Sequence, residues 1–257
     1  MGQNLWQDYE ATYRATLRDP RFLAWRDAGA RRKAENIVRV CRGLDPFAAV
    51  EIGCGTGSVL RALEEMNFAR EYFCIDLSPA AVGFARDSCP ALRERAAVAH
   101  ADRLPLADGS FEVAILSHVI EHLEDPLAAL REASRVARFV VVEVPTEKVL
   151  SNFVRTRILG RPYRSIREAG HVHFWSPSSI AAFLERDANL GIVRRHCDQL
   201  DESIDSGDFR EHGTRPLLKR VLRNCLPRTI YSRLLTTHAT FLCRPNGGSG
   251  ARQGNVA

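Results

Sequence analysis

Residues 50–60 read "VEIGCGTGSVL". An apolar run carries an acid, Glu51; glycines follow at positions 53, 55 and 57, and a helix-like stretch begins. Glycines at a strand-to-helix junction leave the first backbone N–H groups open to a ligand, with no Cβ in the way. In a dinucleotide site such a loop holds a pyrophosphate and has the spacing G-x-G-x-x-G. Here the spacing is G-x-G-x-G, and Glu51 stands two residues before the first glycine. A carboxylate there repels a pyrophosphate and suits a cation. A second acid, Asp76, ends the next expected strand, where a side chain can bind both hydroxyls of a ribose. The loop therefore calls for an adenosine-like ligand that carries a positive group.

Outward from this loop, strand and helix patterns alternate. The expected strands are "FAAVEI" (47–52), "REYFCID" (70–76), the weaker "ERAAVAHAD" (94–102), "FEVAILSH" (111–118) and "RFVVVEVP" (138–145). "SVLRALEEM", "SPAAVGFARDS" and "DPLAALREASRVA" separate them as helices, the last two with a capping side chain and a proline at the first turn. Near-continuous apolar strands alternating with helices predict a parallel sheet covered on both faces, an α/β fold. Residues 1–43 are expected as an N-terminal helical lid, two helices within 3–43 broken at Pro20 and stopped at Gly43, over the main domain of residues 44–245. After Pro145 the pattern loosens, so 146–170 and 200–237 are expected as substrate-side insertions. Between and after them lie a helix in "SPSSIAAFLERDA", a strand in "LGIVRRHCDQL" (190–200) and a last strand in "THATFLCRP" (237–245). The tail from 246 to 257 is flexible by composition.

The bulk numbers exclude several classes. In 257 residues no apolar run is long enough to span a membrane, and the N-terminus lacks the apolar core of a signal peptide, so a cytoplasmic protein is expected. Seven scattered cysteines without a C-x-x-C pair argue against a disulfide framework or a zinc site of that kind. The net charge is +5, and only Lys33, Lys148 and Lys219 are lysines. Arginines cluster in "VRTRILGRPYRSIR" (154–167), where Arg155, Arg157, Arg161, Arg164 and Arg167 suit an anionic acceptor, and again in 215–228, read as a solvated helix face.

"VEIGCGTG", "CIDLSPAAV", "HADRLPLADGSFEVAILSHVIEHLEDP" and "HVHFWSP", in this order, resemble the class I S-adenosylmethionine (SAM)-dependent methyltransferases, in particular the small-molecule group that includes the ubiquinone-pathway enzymes. The resemblance covers 47–145 strongly and 171–197 more weakly. It implies a Rossmann-like, mostly parallel seven-stranded sheet with its last strand antiparallel. It implies SAM as cofactor, with Glu51, Gly53 and Gly55 at its amino-acid end and Gly57 shaping the loop. Asp76 would hold the ribose, Leu77 would lie beside the adenine, Asp102 would accept from the adenine amino group, and Arg103 would offer its backbone. Ser117 and His118 would lie below the sulfonium.

Methyl transfer from a sulfonium is an in-line displacement, so the protein supplies mainly proximity and alignment. An oxygen or nitrogen acceptor also loses a proton, which suits a histidine base. His118, at the end of the fourth strand, is the first catalytic candidate; His171 in "HVHFW" is the second. His122 and His173 are weighed beside them, with packing favoured for His173. No metal ligand is assigned, but some relatives bind a divalent metal through an E-x-x-E-H segment and a distant histidine. Whether Glu121, His122 and His171 do so is left open, His118 standing where those relatives have an acid. The expected acceptor is a small, anionic molecule. An RNA 2′-O-methyltransferase and a non-catalytic SAM-binding scaffold are the alternatives. The first is disfavoured because no stripe of aromatic and basic residues marks a nucleic-acid surface.

Overall fold

The computed structural model describes residues 5–146, 171–199 and 236–247. Two helices, α1 (Leu5–Thr16) and α2 (Pro20–Val40), lead into the first strand. Seven strands follow among the described residues: β1 (Ala48–Ile52), β2 (Glu71–Asp76), β3 (Ala96–Val98), β4 (Phe111–Ser117), β5 (Ala137–Pro145), β6 (Leu190–Gln199) and β7 (Thr236–Pro245). The connecting helices are α3 (Ser58–Glu65), α4 (Pro79–Ser88), α5 (Pro126–Val136) and α6 (Pro177–Arg186). Four helices start alike. Asp19, Ser78, Asp125 and Ser176 each accept a backbone N–H of the first turn, and each is followed by proline.

The sheet order is β3-β2-β1-β4-β5-β7-β6. β1 to β5 are parallel, and β7 runs antiparallel between β5 and β6. The mostly parallel sheet and its antiparallel last strand are therefore as expected. Alternation along the strands feeds two cores. Val113 and Ile115 of β4 with Phe139 and Val141 of β5 face α2, α3 and α4. Ala114, Leu116, Val140 and Val142 face α5 and α6. A side-chain period of two makes one strand serve both layers.

One expectation is corrected. The third strand is short, Ala96–Val98 instead of 94–102, because it pairs with β2 at three positions on the sheet edge and Val98 is exposed. On α2, Ala30, Ala34 and Ile37, with Cys41 just past its end, lie on one helical stripe and are buried in the first core. Of the expected insertions at 146–170 and 200–237, residues 147–170 and 200–235 lie outside the described residues, with both arginine clusters and the tail beyond 247. Among the described residues no helix is long and apolar enough to cross a membrane. Connections leave β1 toward β2 on one side and reach β4 on the other, so the strand order reverses between β1 and β4. At such a point the carboxyl ends of the strands open a crevice.

Candidate functional site

The glycine loop leaves β1 at this crevice. The N–H groups of Gly53 and Cys54 both donate to the Ile75 carbonyl, at 2.7 and 3.0 Å, which ties the loop to β2. Gly53, Gly55 and Gly57 all have positive φ, at 79°, 54° and 69°. Their bare Cα atoms serve different neighbours. A Cβ on Gly53 would lie 2.5 Å from Val119 Cγ2, and one on Gly57 would lie 3.0 Å from the Ala85 Cβ of α4. A Cβ on Gly55 would lie 2.6 Å from the Tyr13 hydroxyl and would overlap Arg26 Nη2. Gly53 and Gly57 thus allow close packing within the domain, and Gly55 faces movable side chains from the two N-terminal helices.

The two acids flank the loop. Asp76 Oδ2 accepts the Gly55 N–H at 2.7 Å, and Oδ1 accepts the Ser78 N–H at 2.9 Å. Each oxygen keeps a lone pair for a further donor. Burial pushes this carboxyl up, and the backbone hydrogen bonds and Arg26 oppose it. Glu51 is 2% exposed, and its Oε2 has no hydrogen-bond partner. Burial pushes Glu51 up to about 8, against the pull of Lys33 and Arg26. An orphaned buried oxygen costs about 1–3 kcal/mol, so this site is built to receive a donor. Leu77 follows Asp76 half-buried, and Asp102 and Arg103 are exposed in the turn after β3.

The N-terminal helices are clamped over this loop. Glu10 of α1 accepts the Ser78 hydroxyl at 2.5 Å and the Ala80 N–H at 3.3 Å, so its carboxylate sits on the first turn of α4. Tyr13, one turn later, thereby reaches Gly55. On α2, Arg26 and Lys33 occupy the same stripe as Ala30 and Ile37. Burial pulls Lys33 down, and the acids Glu143, Glu121 and Glu51 oppose that. Deeper in, Asn36 Nδ2 donates to Glu143 at 3.2 Å and to Asp198 at 2.7 Å, joining α2 to β5 and β6. Ser117 donates to Glu143 at 2.7 Å, so its hydroxyl is engaged away from the glycine loop. Tyr13, Arg26, Lys33 and Glu143 were not among the expected site residues. The signal for two of them was legible: cations at 26 and 33 interrupt an apolar helical stripe.

A second cluster lies at the end of β4. His118 takes a left-handed backbone, φ 58°, with its N–H on the Glu143 carbonyl at 2.9 Å. That conformation costs a non-glycine residue about 1 kcal/mol or more. Its Nδ1 lies 3.5 Å from Glu121 Oε1, and its buried Nε2 has no hydrogen-bond partner. Burial, with the charge of Lys33, holds the imidazole well below its ordinary range. Glu121 is wholly buried and neither oxygen has a hydrogen-bond partner; burial pushes it up to about 8. Its carbonyl accepts the Val172 and His173 N–H groups at 2.8 and 3.1 Å, which brings in the distant "HVHFW" segment. One ligand atom from each of Glu121, His122 and His171 then lies within 4.8 Å of the others. Tyr9 of α1 meets the His122 ring edge-on at 5.8 Å, whereas His173 stacks on Trp175 at 5.7 Å, in a packing role.

A methyltransferase domain family matches residues 50–139. Over 105 residues the chain is 33% identical to a malonyl-(acyl-carrier protein) O-methyltransferase of Hahella chejuensis, a match that covers 40% of this chain and 37% of that protein. The chain spans less than half the length of the first curated relatives it matches. Among solved structures, geranyl diphosphate C-methyltransferase from Streptomyces coelicolor A3(2), in complex with Mg²⁺, geranyl diphosphate and S-adenosyl-L-homocysteine, has a TM-score of 0.56 at 15% identity, over 84% of this chain and 78% of that one. The [4+2]-cyclase SpnF has a TM-score of 0.53 at 17% identity, over 85% and 82%. At such identities the likeness is one of fold, and one fold hosts different reactions.

Proposed function

Residues 50–139 are a class I methyltransferase domain, dependent on SAM, and from that premise we propose that the chain transfers a methyl group to an oxygen or nitrogen of a small anionic acceptor. The observation that carries the cofactor side is the orphaned Glu51 oxygen beside the glycine loop. Bound SAM supplies a methyl group already activated on a sulfonium. Glu51 then takes the ammonium of its amino-acid end, beside the Gly53–Gly55 backbone. Asp76 accepts from the ribose hydroxyls through the lone pairs that Gly55 and Ser78 leave open. Leu77, Asp102 and Arg103 hold the adenine.

On the acceptor side, His118 is half-buried, is held well below its ordinary imidazole range by desolvation and has a buried Nε2 with no hydrogen-bond partner, which fits a proton acceptor. His171, half-buried and pulled down by burial, is the second base. An ionised carboxylate acceptor needs no base. The malonyl group in the relatives' name is an example, and for such a substrate the histidines orient and Lys33 supplies attraction. The arginines of 154–167 are the proposed contacts for the rest of an anionic acceptor.

A second reading is favoured by the Glu121–His122–His171 cluster. One carboxylate and two imidazoles form a donor set for Zn²⁺ or Mn²⁺ that leaves positions open, and the unpartnered oxygens of Glu121 are an unmet demand for a cation. In that reading the three residues hold the metal, which polarises an acceptor oxygen, and His118 alone remains as base. Calorimetric titration with SAM and with its demethylated product, with and without EDTA, tests both readings. Binding lost in Glu51→Ala and Asp76→Ala supports the cofactor site, and no binding in any condition rejects it. Zn²⁺ or Mn²⁺ affinity that survives His171→Ala rejects the metal site.

A further inference from the structure

The amino-acid end of SAM carries two charges, and the residues assigned so far answer only one. Glu51 and Asp76 suit an ammonium and hydroxyls; neither suits a carboxylate. A carboxylate brought into a crevice with these two acids, without a donor of its own, would be desolvated beside like charges. The N-terminal helices bring two donors to the loop that have no other hydrogen-bond assignment, beside the buried, unpartnered Thr56 hydroxyl of the loop itself. Arg26 Nη2 and the Tyr13 hydroxyl both lie against the open face of Gly55, where a Cβ would collide with them. The Nε of Arg26 is buried and has no hydrogen-bond partner. Arg26 also shares the stripe of α2 that packs on the domain, so its reach toward the loop is set by core residues Ala30 and Ile37.

We propose that Arg26 and Tyr13, from the N-terminal helices, are the ligands of the carboxylate of the cofactor's amino-acid end. The proposal rests on the cofactor reading of the glycine loop given above. The guanidinium fork matches a carboxylate in bidentate fashion, and the phenol adds a third donor. Gly55 is bare because these side chains must come onto the loop. The helices are thus part of the cofactor site, and Glu10 on the first turn of α4 sets where Tyr13 stands. Both side chains lie on the loop itself, so they turn aside from Gly55 to admit the cofactor and then close on its carboxylate.

The test is calorimetric titration of the full chain with SAM and with decarboxylated SAM, which keeps the sulfonium and the amine. The wild-type chain is expected to prefer SAM by about ten- to a hundredfold, the range of a charged hydrogen-bonded pair. Arg26→Met is expected to bring that preference near one, by weakening SAM and leaving decarboxylated SAM within about threefold. Tyr13→Phe and Arg26→Lys are expected to fall between, and they carry the comparison if Arg26→Met does not fold. Equal preference in wild type and variants overturns the proposal. So does tighter binding of both ligands in Arg26→Met, which would make Arg26 a mere obstruction. Asp76→Asn separates this from the cofactor reading: it should weaken both ligands alike, and if it weakens neither, the site reading itself has failed.

Discussion

Cofactor binding at pH 7 should release close to one proton from the protein. Glu51 is buried, one of its oxygens is unpartnered, and burial pushes it up to about 8 although Lys33 and Arg26 face it; Asp76 and Glu143 add to the rise. At pH 7 about nine-tenths of such a carboxyl is protonated. A bound ammonium in contact with it demands the carboxylate, so that proton must leave. The cofactor's own amine, with an ordinary α-amino pKa of about 8, takes up about a tenth of a proton at pH 7, for a net release of about 0.8. At pH 9 Glu51 is ionised beforehand and the amine is mostly neutral, so the net change becomes an uptake. The assay is titration calorimetry in buffers of different ionisation enthalpy, at pH 7 and pH 9, with Glu51→Gln as control. The variant should lose the release at pH 7 and keep the uptake at pH 9. Enthalpies independent of buffer at pH 7 in the wild-type chain would refute the reasoning. The same carboxyl has a consequence for stability without cofactor. A group raised from 4.5 to about 8 on folding contributes stability that is fully present below pH 4.5 and lost as pH rises through 8. The full loss is at most about 5 kcal/mol, and Glu51→Gln should flatten that part of the pH profile.

Asn36→Leu should destabilise the chain by about 2–4 kcal/mol in urea unfolding, because it takes a donor from each of two buried carboxylates, Glu143 and Asp198. A loss below about 0.5 kcal/mol would show that α2 is held by its apolar stripe alone. Gly53→Ala should lower thermal stability more than Gly109→Ala: both have positive φ, but only at Gly53 does the new Cβ meet a packed side chain, Val119. Equal melting temperatures would contradict that. In acceptor assays with labelled SAM, Arg161→Ala and Arg164→Ala together should raise the acceptor KM about tenfold with kcat little changed, and an unchanged KM removes the anionic-acceptor reading.

Much of this was legible along the chain. Asp19, Ser78, Asp125 and Ser176, each before a proline, announce helix starts through purely local hydrogen bonds. The β4 and β5 strands announce themselves as continuous apolar runs because both faces are covered. Glu51 and Asp76 could be picked out because they end adjacent strands beside a glycine loop, a relation between neighbours in the fold that chain order already implies.

By itself the sequence determined the α/β class, the place of the crevice and the charge of its ligand, since these follow from periodicity, capping and the glycine spacing. Tertiary structure decided the rest. It gave Gly53 and Gly57 to packing against Val119 and Ala85 and left Gly55 to the site. It brought His171 to Glu121 across fifty residues through two backbone hydrogen bonds, and seated Tyr13 and Arg26 over the loop. The physical reason is the same in each case: a buried polar atom is satisfied by whichever segment the packing delivers, and local sequence carries no record of that partner.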